Sequence, residues 1–211
     1  MQNEDIEFII PEVPENLRDC VLPDSYELSY WGNRKNRTFY IDYEIDDKYD
    51  LLELSKVIIQ MNMDERGIAK DKLKPIYLFI HTYGGDIEQA LYFCDLLISS
   101  RIPIVTISMG VAMSAGFLIY LAGDKRLAFK HSQFLCHTGS ATLGGTAEQV
   151  ESAQANYKKQ LNTMKDYILE RTAINEKLFN KYKSKDWYIN GEDLLKYKIV
   201  DSFIDSFDDM F

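Results

Sequence analysis

The chain has 211 residues, of which 46% are hydrophobic and 27% are charged, and it carries a formal net charge of −9. This length and composition are typical of one globular domain with a substantial buried core and room for a short appendage. An acidic surface repels phosphate backbones, and no cluster of lysine and arginine interrupts it. We therefore expect no nucleic-acid partner.

Membrane segments and cofactors are not indicated either. The longest apolar runs are far shorter than a membrane span, and the N-terminal MQNEDIEFII is acidic where a signal peptide would be basic, so we expect a cytoplasmic protein. The three histidines follow no metal-ligand spacing, so we expect no metal and no other cofactor. The cysteines are far apart in sequence and are interpreted as free thiols: Cys20, Cys94 and Cys136.

After an irregular arm at 1–34, the predicted elements alternate between strands and helices. In chain order they are a strand at 37–45, a helix at 50–63, a charged loop at 64–74, a strand at 76–81, a helix from Asp86 through Ile98, a strand starting at 103, a short helix ended by Gly123, a strand ending at His137 and a long helix at about 147–171. Continuous apolar strands alternating with helices predict an α/β fold with a mainly parallel sheet.

Two of the predicted strand-to-helix turns are rich in glycine. The first contains Gly84-Gly85, and the second is GVAMSAG, residues 110–116. A helix N-terminus has free N–H groups, and glycine allows a ligand to approach them closely, so two such turns can aim two donors at one oxyanion. Each turn taken alone also has a purely structural interpretation. The first can be an ordinary glycine turn, and the second can hold a packed serine at a helix start.

The second turn contains Ser114, which is a candidate nucleophile if a base can take its proton. His137 lies at the end of the next predicted strand and is the preferred base. His81, just before the first turn, is the rival base, and His131 in a predicted turn is set aside. Asp186 in KSKDWYING is the candidate for the carboxylate that orients the base.

These segments together resemble ClpP, the self-compartmentalising serine peptidase of the Clp system. GVAMSAG is similar to the nucleophile segment of that family, and IYLFIHTYGGDI to its strand and Gly-Gly turn. LAGDKRLAFKHSQFLCH resembles its run to the catalytic histidine, and KDWYINGEDLLKYKIVD resembles its ending. The resemblance covers about residues 37–205.

The resemblance implies a role for each matching residue. Ser114 matches the nucleophile, His137 the general base and Asp186 the orienting acid. The backbone N–H groups of Gly84 and Ala115 match the oxyanion donors. The edges that would pair with an extended peptide match five further residues: Gly85, Asp86, Ile87, Leu143 and Gly144.

The resemblance also implies a fold and an assembly. It implies a crotonase-like ββα superhelix at 35–205, with the helix from Ala147 as a protruding handle on which two heptameric rings meet as a tetradecamer. Peptides or unfolded proteins are the implied substrates, and an AAA+ unfoldase is a candidate partner. Two segments do not resemble the family: the acidic tail at 206–211 and the arm at 1–34.

Several positions depart from the family pattern. Thr82-Tyr83 replaces the usual Ser-Pro before Gly-Gly, and Thr138-Gly139 replaces the usual Gln-Pro after the histidine. The segment around Asp124-Lys125 is slightly short. Because the changes lie around the substrate edges, they affect cleavage preference more than chemistry, and they indicate a divergent member, for which a phage origin is one explanation.

Three other functions compete with the serine endopeptidase. A crotonase-type acyl-CoA enzyme would use the same backbone donors without needing Ser114, His137 and Asp186 together. A serine–lysine peptidase would need a lysine and not His137. A non-catalytic ClpP-like ring or scaffold protein would keep the fold without turnover.

Overall fold

The first of two structural units contains a helix where the sequence suggested an irregular arm. The computed structural model describes residues 24–46 and 50–210, and the chain divides into Met1–Asn36 and Arg37–Phe211. In the first unit, α1 spans Ser25–Asn36. The prediction of an irregular segment was wrong for these residues, whereas residues 1–23, including Cys20, lie outside the described part.

A reciprocal cap explains why α1 begins where it does. The Glu27 N–H donates to Asp24 Oδ1 at 2.7 Å, and the Asp24 N–H donates to Glu27 Oε2 at 3.1 Å. This capping box satisfies two amides that would otherwise lack a partner at the helix start. The Asp-x-x-Glu spacing was the available sequence signal, but the nearby prolines and the absence of an apolar stripe obscured it.

The second unit alternates strands and helices, as was predicted for its residues up to 171. Its helices are α2 Asp50–Asp64, α3 Ile87–Ser99, α4 Ala115–Leu121, α5 Ala147–Arg171, α6 Glu176–Tyr182 and α7 Glu192–Lys196. Its strands are β1 Thr38–Ile41, β2 Ile76–Thr82, β3 Ile104–Met113, β4 Lys125–Phe129, β5 Gln133–Cys136, β6 Trp187–Asn190 and β7 Ser202–Ile204. Two 3₁₀ turns complete it, Lys70–Lys72 and Phe207–Asp209.

The strands form one mainly parallel sheet, as the apolar runs predicted. The order is β1-β2-β3-β4-β7, and all of these pairs are parallel. The early half of β3 pairs with β4, but its last residues, 111–113, pair with β5 instead. β5 in turn pairs antiparallel with β6. The sheet therefore branches at β3, and the branch carries the end of β3 away from β4.

Three details of the predicted strands needed correction. The strand expected at 37–45 ends at Ile41, and Ile45 forms only an isolated bridge to Gly85. β3 was expected to end before Gly110, but it continues to Met113. The sequence analysis missed β4, because the strand is five residues long and starts with two charged residues.

Both faces of the central strands are buried, which explains their continuous apolar runs. Alternate residues of β2 belong to two packing clusters: Ile76, Leu78 and Ile80 contact the helical layer, whereas Phe79 contacts a smaller cluster on the other face. Met210 joins that smaller cluster and is only 4% exposed. The acidic C-terminal segment therefore packs on the sheet.

The two halves of α5 differ in burial. The buried residues of α5 are Met164 and Ile168, both in its C-terminal half. Its N-terminal half has no buried side chain. The helix starts with a capping box between Thr146 and Gln149. Thus α5 packs on the core at one end and projects from it at the other, as expected of a handle.

Candidate active site

Strand register brings the three predicted side chains together. Cys136 of β5 pairs with Trp187 of β6, so the next residues outward, His137 and Asp186, lie side by side at the same end of the antiparallel pair. Met113 at the end of β3 pairs with Leu135 of β5, which places Ser114 beside them. Each side chain therefore lies immediately beyond an end of one of three adjacent strands.

The three side chains form a continuous hydrogen-bonded chain. His137 Nε2 lies 2.9 Å from Ser114 Oγ, and His137 Nδ1 lies 2.9 Å from Asp186 Oδ1. The His137 side chain is 25% exposed and that of Asp186 is 59% exposed. This is the geometry in which an imidazole can accept a hydroxyl proton while a carboxylate fixes its tautomer.

Ser114 has an unusual backbone conformation. Its φ of 53° and ψ of −120° lie in a region that favours glycine, although serine occupies it. The Ser114 N–H donates to the Leu135 carbonyl at 2.9 Å, and its own carbonyl accepts from the Phe117 N–H at 3.0 Å. Neighbouring elements thus hold the turn between β3 and α4 in place, and it presents the hydroxyl to His137.

The Gly84-Gly85 turn packs against both Ser114 and the start of the second unit. A methyl group on Gly84 would lie 2.7 Å from both the Met113 carbonyl oxygen and Ser114 Cβ, and one on Gly85 would lie 1.8 Å from the Ile45 carbonyl oxygen. Their φ values are 110° and 142°. Only glycine suits these positions, because space and backbone conformation both exclude a side chain.

The backbone amides of this turn point in alternate directions. The Ile45 N–H donates to the Gly84 carbonyl at 2.8 Å, and the Asp86 N–H donates to the Ile45 carbonyl at 2.6 Å. Gly85 lies between Gly84 and Asp86, and its own N–H and C=O groups point to the side opposite from the two groups that bond Ile45. The N–H of Gly85 therefore faces away from Ile45.

The amide predicted as the first oxyanion donor has another acceptor. The Gly84 N–H donates to Thr82 Oγ1 at 3.2 Å, and that hydroxyl donates to the Tyr43 carbonyl at 2.6 Å. Gly85 and Ala115, rather than Gly84, line the cavity at Ser114. The geometry therefore favours Gly85 over Gly84 as the donor, whereas the assignment of Ala115 stays a prediction.

The other two histidines are engaged or placed elsewhere. His81 Nδ1 lies 3.0 Å from the Met109 carbonyl oxygen, at the point where β3 changes partner from β4 to β5. His131 is exposed in the turn between β4 and β5. Neither lines the cavity at Ser114, so the rival base is not supported.

A cavity of about 260 Å³ opens beside Ser114 and His137. Of the predicted substrate edges, Gly85, Asp86 and Ile87 line this cavity, but Leu143 and Gly144 do not. The segment that replaces them comes directly after the histidine and includes Ser140 and Ala141. The Thr138 carbonyl of this segment accepts a hydrogen bond from the Tyr157 hydroxyl at 2.9 Å, which ties it to α5.

The sequence analysis missed the deep wall of the cavity. This wall contains Leu118 of α4 and Met164 of α5, both of which are buried. Tyr157 and Gln160 of α5 also line the cavity, and the three α5 residues recur at helical spacing. Tyr157 and Met164 stand seven residues apart in the sequence, but this spacing alone does not distinguish a cavity wall from an interface.

The thiol next to the histidine is shielded. Cys136 is 4% exposed, and burial raises its pKa to about 12. Burial likewise raises the pKa of Cys94 to about 12. Because the thiolate is the reactive form, both thiols are inert at neutral pH. Within residues 24–46 and 50–210, no cluster of side chains suits a metal ion, and no helix is long and apolar enough to cross a membrane.

Comparisons with known proteins connect the chain to one family of proteases. The family model for Clp protease matches residues 34–207. A Deinococcus radiodurans protein named ATP-dependent Clp protease proteolytic subunit is 30% identical over 62% of this chain, and the match spans 65% of that protein. Proteolytic subunit 2 of Pseudomonas aeruginosa is 27% identical over 72% of this chain and 82% of its own length.

A solved structure extends the likeness to the fold. The structure of a ClpP1 mutant from Listeria monocytogenes superimposes with a TM-score of 0.73, covering 87% of this chain and 99% of that one. At 20% sequence identity, this likeness establishes the architecture alone.

Proposed function

The chain belongs to the Clp protease family, and we propose that it is a serine endopeptidase that uses Ser114, His137 and Asp186. The observation that carries the proposal is the hydrogen-bonded chain from Ser114 Oγ through the imidazole to Asp186 Oδ1, with 2.9 Å at each link. A packed structural serine has no need of this arrangement.

In the proposed mechanism, Ser114 Oγ attacks a peptide carbonyl while His137 Nε2 accepts the hydroxyl proton. Asp186 accepts a hydrogen bond from Nδ1–H, so the imidazole keeps the required tautomer and its positive charge is stabilised. His137 then gives the proton to the leaving amine. Water attacks the acyl-enzyme with His137 again acting as base, and the hydroxyl of Ser114 is restored.

The developing oxyanion needs donors that are in place before the reaction. We propose the N–H groups of Gly85 and Ala115, since both residues line the cavity at Ser114 and Ala115 begins α4. The Gly84 amide is assigned a supporting role instead, because it donates to Thr82 Oγ1. In other serine peptidases, a single such donor lowers the activation barrier by about 3–4 kcal/mol.

The peptide would lie along the turn after β2. Asp86 uses its N–H for Ile45, so we assign the N–H groups of Gly85 and of Ile87, the first residue of α3, to pairing with an extended substrate on the opposite side. The segment from Thr138 to Ala141 forms the facing wall. Leu143 and Gly144 would contact the peptide only beyond the cavity, farther from the scissile bond.

We further propose that the chain works in the cytoplasm inside a closed assembly of two heptameric rings, with an AAA+ unfoldase as a candidate partner. The projecting N-terminal half of α5 supports this, because it extends beyond the core and has no buried side chain in the single chain. Enclosure would keep an accessible triad away from folded cellular proteins. Particle mass in solution tests it, since a species of 24.5 kDa at micromolar concentration would contradict the rings.

Ser114→Ala tests the chemistry. We expect hydrolysis of a fluorogenic peptide to fall by about 10⁶-fold, to the level of background, since the nucleophile of such a triad acts as a unit with its base. A fluorophosphonate should label the parent at Ser114 and leave the variant unlabelled, as read by mass spectrometry. Activity of the variant within tenfold of the parent would remove Ser114 from the mechanism.

The same labelling separates the proposal from its rivals. A scaffold protein would neither turn over peptide nor react at Ser114. An acyl-CoA enzyme would keep its activity toward a thioester in the Ser114→Ala variant, and a serine–lysine peptidase would keep peptide hydrolysis after His137→Ala.

A further inference from the structure

We infer that Glu88 makes the cavity beside Ser114 selective for a substrate residue with an apolar stem and a cationic head, namely lysine or arginine. The inference rests on the proposed function, because it takes the cavity as the subsite for the residue on the acyl side of the scissile bond. Glu88 is a specificity-determining residue in this account and takes no part in bond cleavage.

The cavity can accommodate a long side chain with an apolar stem. Leu118 and Met164, which are 2% and 4% exposed, form its deep wall, and Ile87 adds an apolar surface next to the turn. A volume of about 260 Å³ exceeds the volume of a single side chain. Methylene groups that enter it leave water, at about 0.8 kcal/mol per buried CH₂ in general.

The charges around the cavity have one sign. Among the residues that line it, all within the described part of the chain, the carboxylates are Asp86 and Glu88, and no lysine or arginine is present. Asp86 Oδ1 already accepts from the Gln89 N–H at 2.8 Å as the cap of α3. Neither carboxylate forms an ion pair with another residue of the described ranges. Such a wall attracts a cation and repels an acidic side chain.

Glu88 is positioned by a side chain from the other side of the cavity. Gln160 Nε2 of α5 donates to Glu88 Oε1 of α3, and both residues line the cavity. Gln160 lies one helical turn before Met164, about 6 Å along the axis of α5, so its hydrogen bond holds the Glu88 carboxylate against the helix that also supplies the apolar wall. An amide cannot neutralise the carboxylate, and the negative charge stays available for a substrate cation.

The test uses three fluorogenic peptides that differ only in the residue before the scissile bond, which is lysine, leucine or glutamate. The measured quantity is the ratio of kcat/KM for the lysine peptide to that for the leucine peptide. We expect Glu88→Gln to lower this ratio about three- to five-fold, the size typical of a partly solvated ion pair. Glu88→Lys should reverse the order of the lysine and glutamate peptides.

Two controls separate charge from structure. Glu170→Gln removes an exposed carboxylate from the C-terminal half of α5 at a position that does not line the cavity, so the ratio should be unchanged. Raising the salt concentration should lower the ratio in the parent toward that of Glu88→Gln, since screening weakens an exposed pair. Gln160→Ala should give an intermediate ratio, because it releases Glu88 without removing its charge.

The failures are distinguishable. If the leucine peptide is cleaved and fluorophosphonate labels Ser114, but the ratio is the same in parent and Glu88→Gln, the inference about Glu88 is overturned and the proposed function stands. If the assembled parent cleaves none of the peptides and Ser114 is not labelled, both fall. A lower ratio in Glu88→Gln that is matched by Glu170→Gln would also overturn the inference.

Discussion

The two glycine-rich turns end neighbouring parallel strands and lead into helices, yet they use unusual backbone conformations for opposite reasons. After β2, Gly84 and Gly85 have positive φ angles and no space for a side chain, so the backbone itself forms the functional surface. After β3, Ser114 takes a similarly unusual conformation while carrying a side chain. The second turn therefore carries strain together with its hydroxyl, whereas the first turn avoids strain by having no Cβ.

The largest expected effect is the difference in kcat/KM between variants of the two histidines that lie near these turns. His137→Ala should lower kcat/KM for peptide hydrolysis by about 10⁴-fold or more, because Ser114 loses its base. His81→Ala is the matched control, since His81 contacts the Met109 carbonyl, and we expect activity within about threefold of the parent. Steady-state kinetics on the purified assemblies measure both. The reverse ranking would assign the base to the turn after β2.

The first turn should be intolerant of a single methyl group. Gly84→Ala places Cβ within 2.7 Å of the Met113 carbonyl oxygen and Ser114 Cβ, so we expect a loss of about 2–4 kcal/mol in the free energy of unfolding and much weaker hydrolysis. Gly144→Ala is the control, because a methyl group there meets no atom within 4 Å. Urea denaturation of each variant measures the difference. Equal stability of the two variants would mean that the turn relaxes freely.

The second turn should gain stability when its side chain is removed altogether. Ser114→Gly should unfold with a free energy about 1–2 kcal/mol higher than Ser114→Ala, because only glycine occupies φ 53° and ψ −120° without strain. Both variants lack the nucleophile, so their stabilities can be compared without the hydroxyl. Thermal and urea unfolding are the measurements. If Ser114→Ala is the more stable variant, the conformation is not strained.

The thiol next to the base should have no effect on the site at neutral pH. Cys136 precedes His137, and its pKa of about 12 in the fold against an ordinary 9.0 keeps the thiol protonated. Alkylation by iodoacetamide at pH 8 should therefore label Cys136 only after unfolding, as mapped by mass spectrometry. Above pH 9 the Cys136 thiol ionises in the unfolded chain but stays protonated in the folded one. This difference should lower the free energy of unfolding by about 1.4 kcal/mol per pH unit between pH 9 and 12. Rapid labelling of the native protein would contradict the shielding.

The sequence was sufficient for the parts of the site that depend on residue type and order. Apolar runs predicted the parallel sheet, and the resemblance assigned Ser114, His137 and Asp186, which the structure brings within hydrogen-bonding distance. The direction in which each backbone N–H group points could not be predicted from the sequence. Which of Gly84 and Gly85 faces the cavity depends on pairing with Ile45, about forty residues earlier, and local composition carries no trace of that pairing.

The cavity walls were harder still to predict. Leu118 and Met164 lie on different helices, and their meeting depends on how α5 packs against α4. An apolar residue at helical spacing has the same pattern whether it faces a core, a cavity or a partner. The loop after His137 could not be placed from the sequence for a related reason, because the contact of the Tyr157 hydroxyl with the Thr138 carbonyl joins residues far apart in the chain, and Thr138 rather than Leu143 lines the cavity.

The antiparallel pairing of β5 with β6 has a consequence for how this chain can change over time. His137 and Asp186 are 49 positions apart, yet they occupy adjoining positions of one ladder, so the whole intervening excursion leaves the site and returns to it. Lengthening or shortening the solvent-facing start of α5 would leave the ladder untouched. The exposed start of α5 can thus vary in length without separating His137 from Asp186, since the pairing of β5 with β6 holds these two residues together.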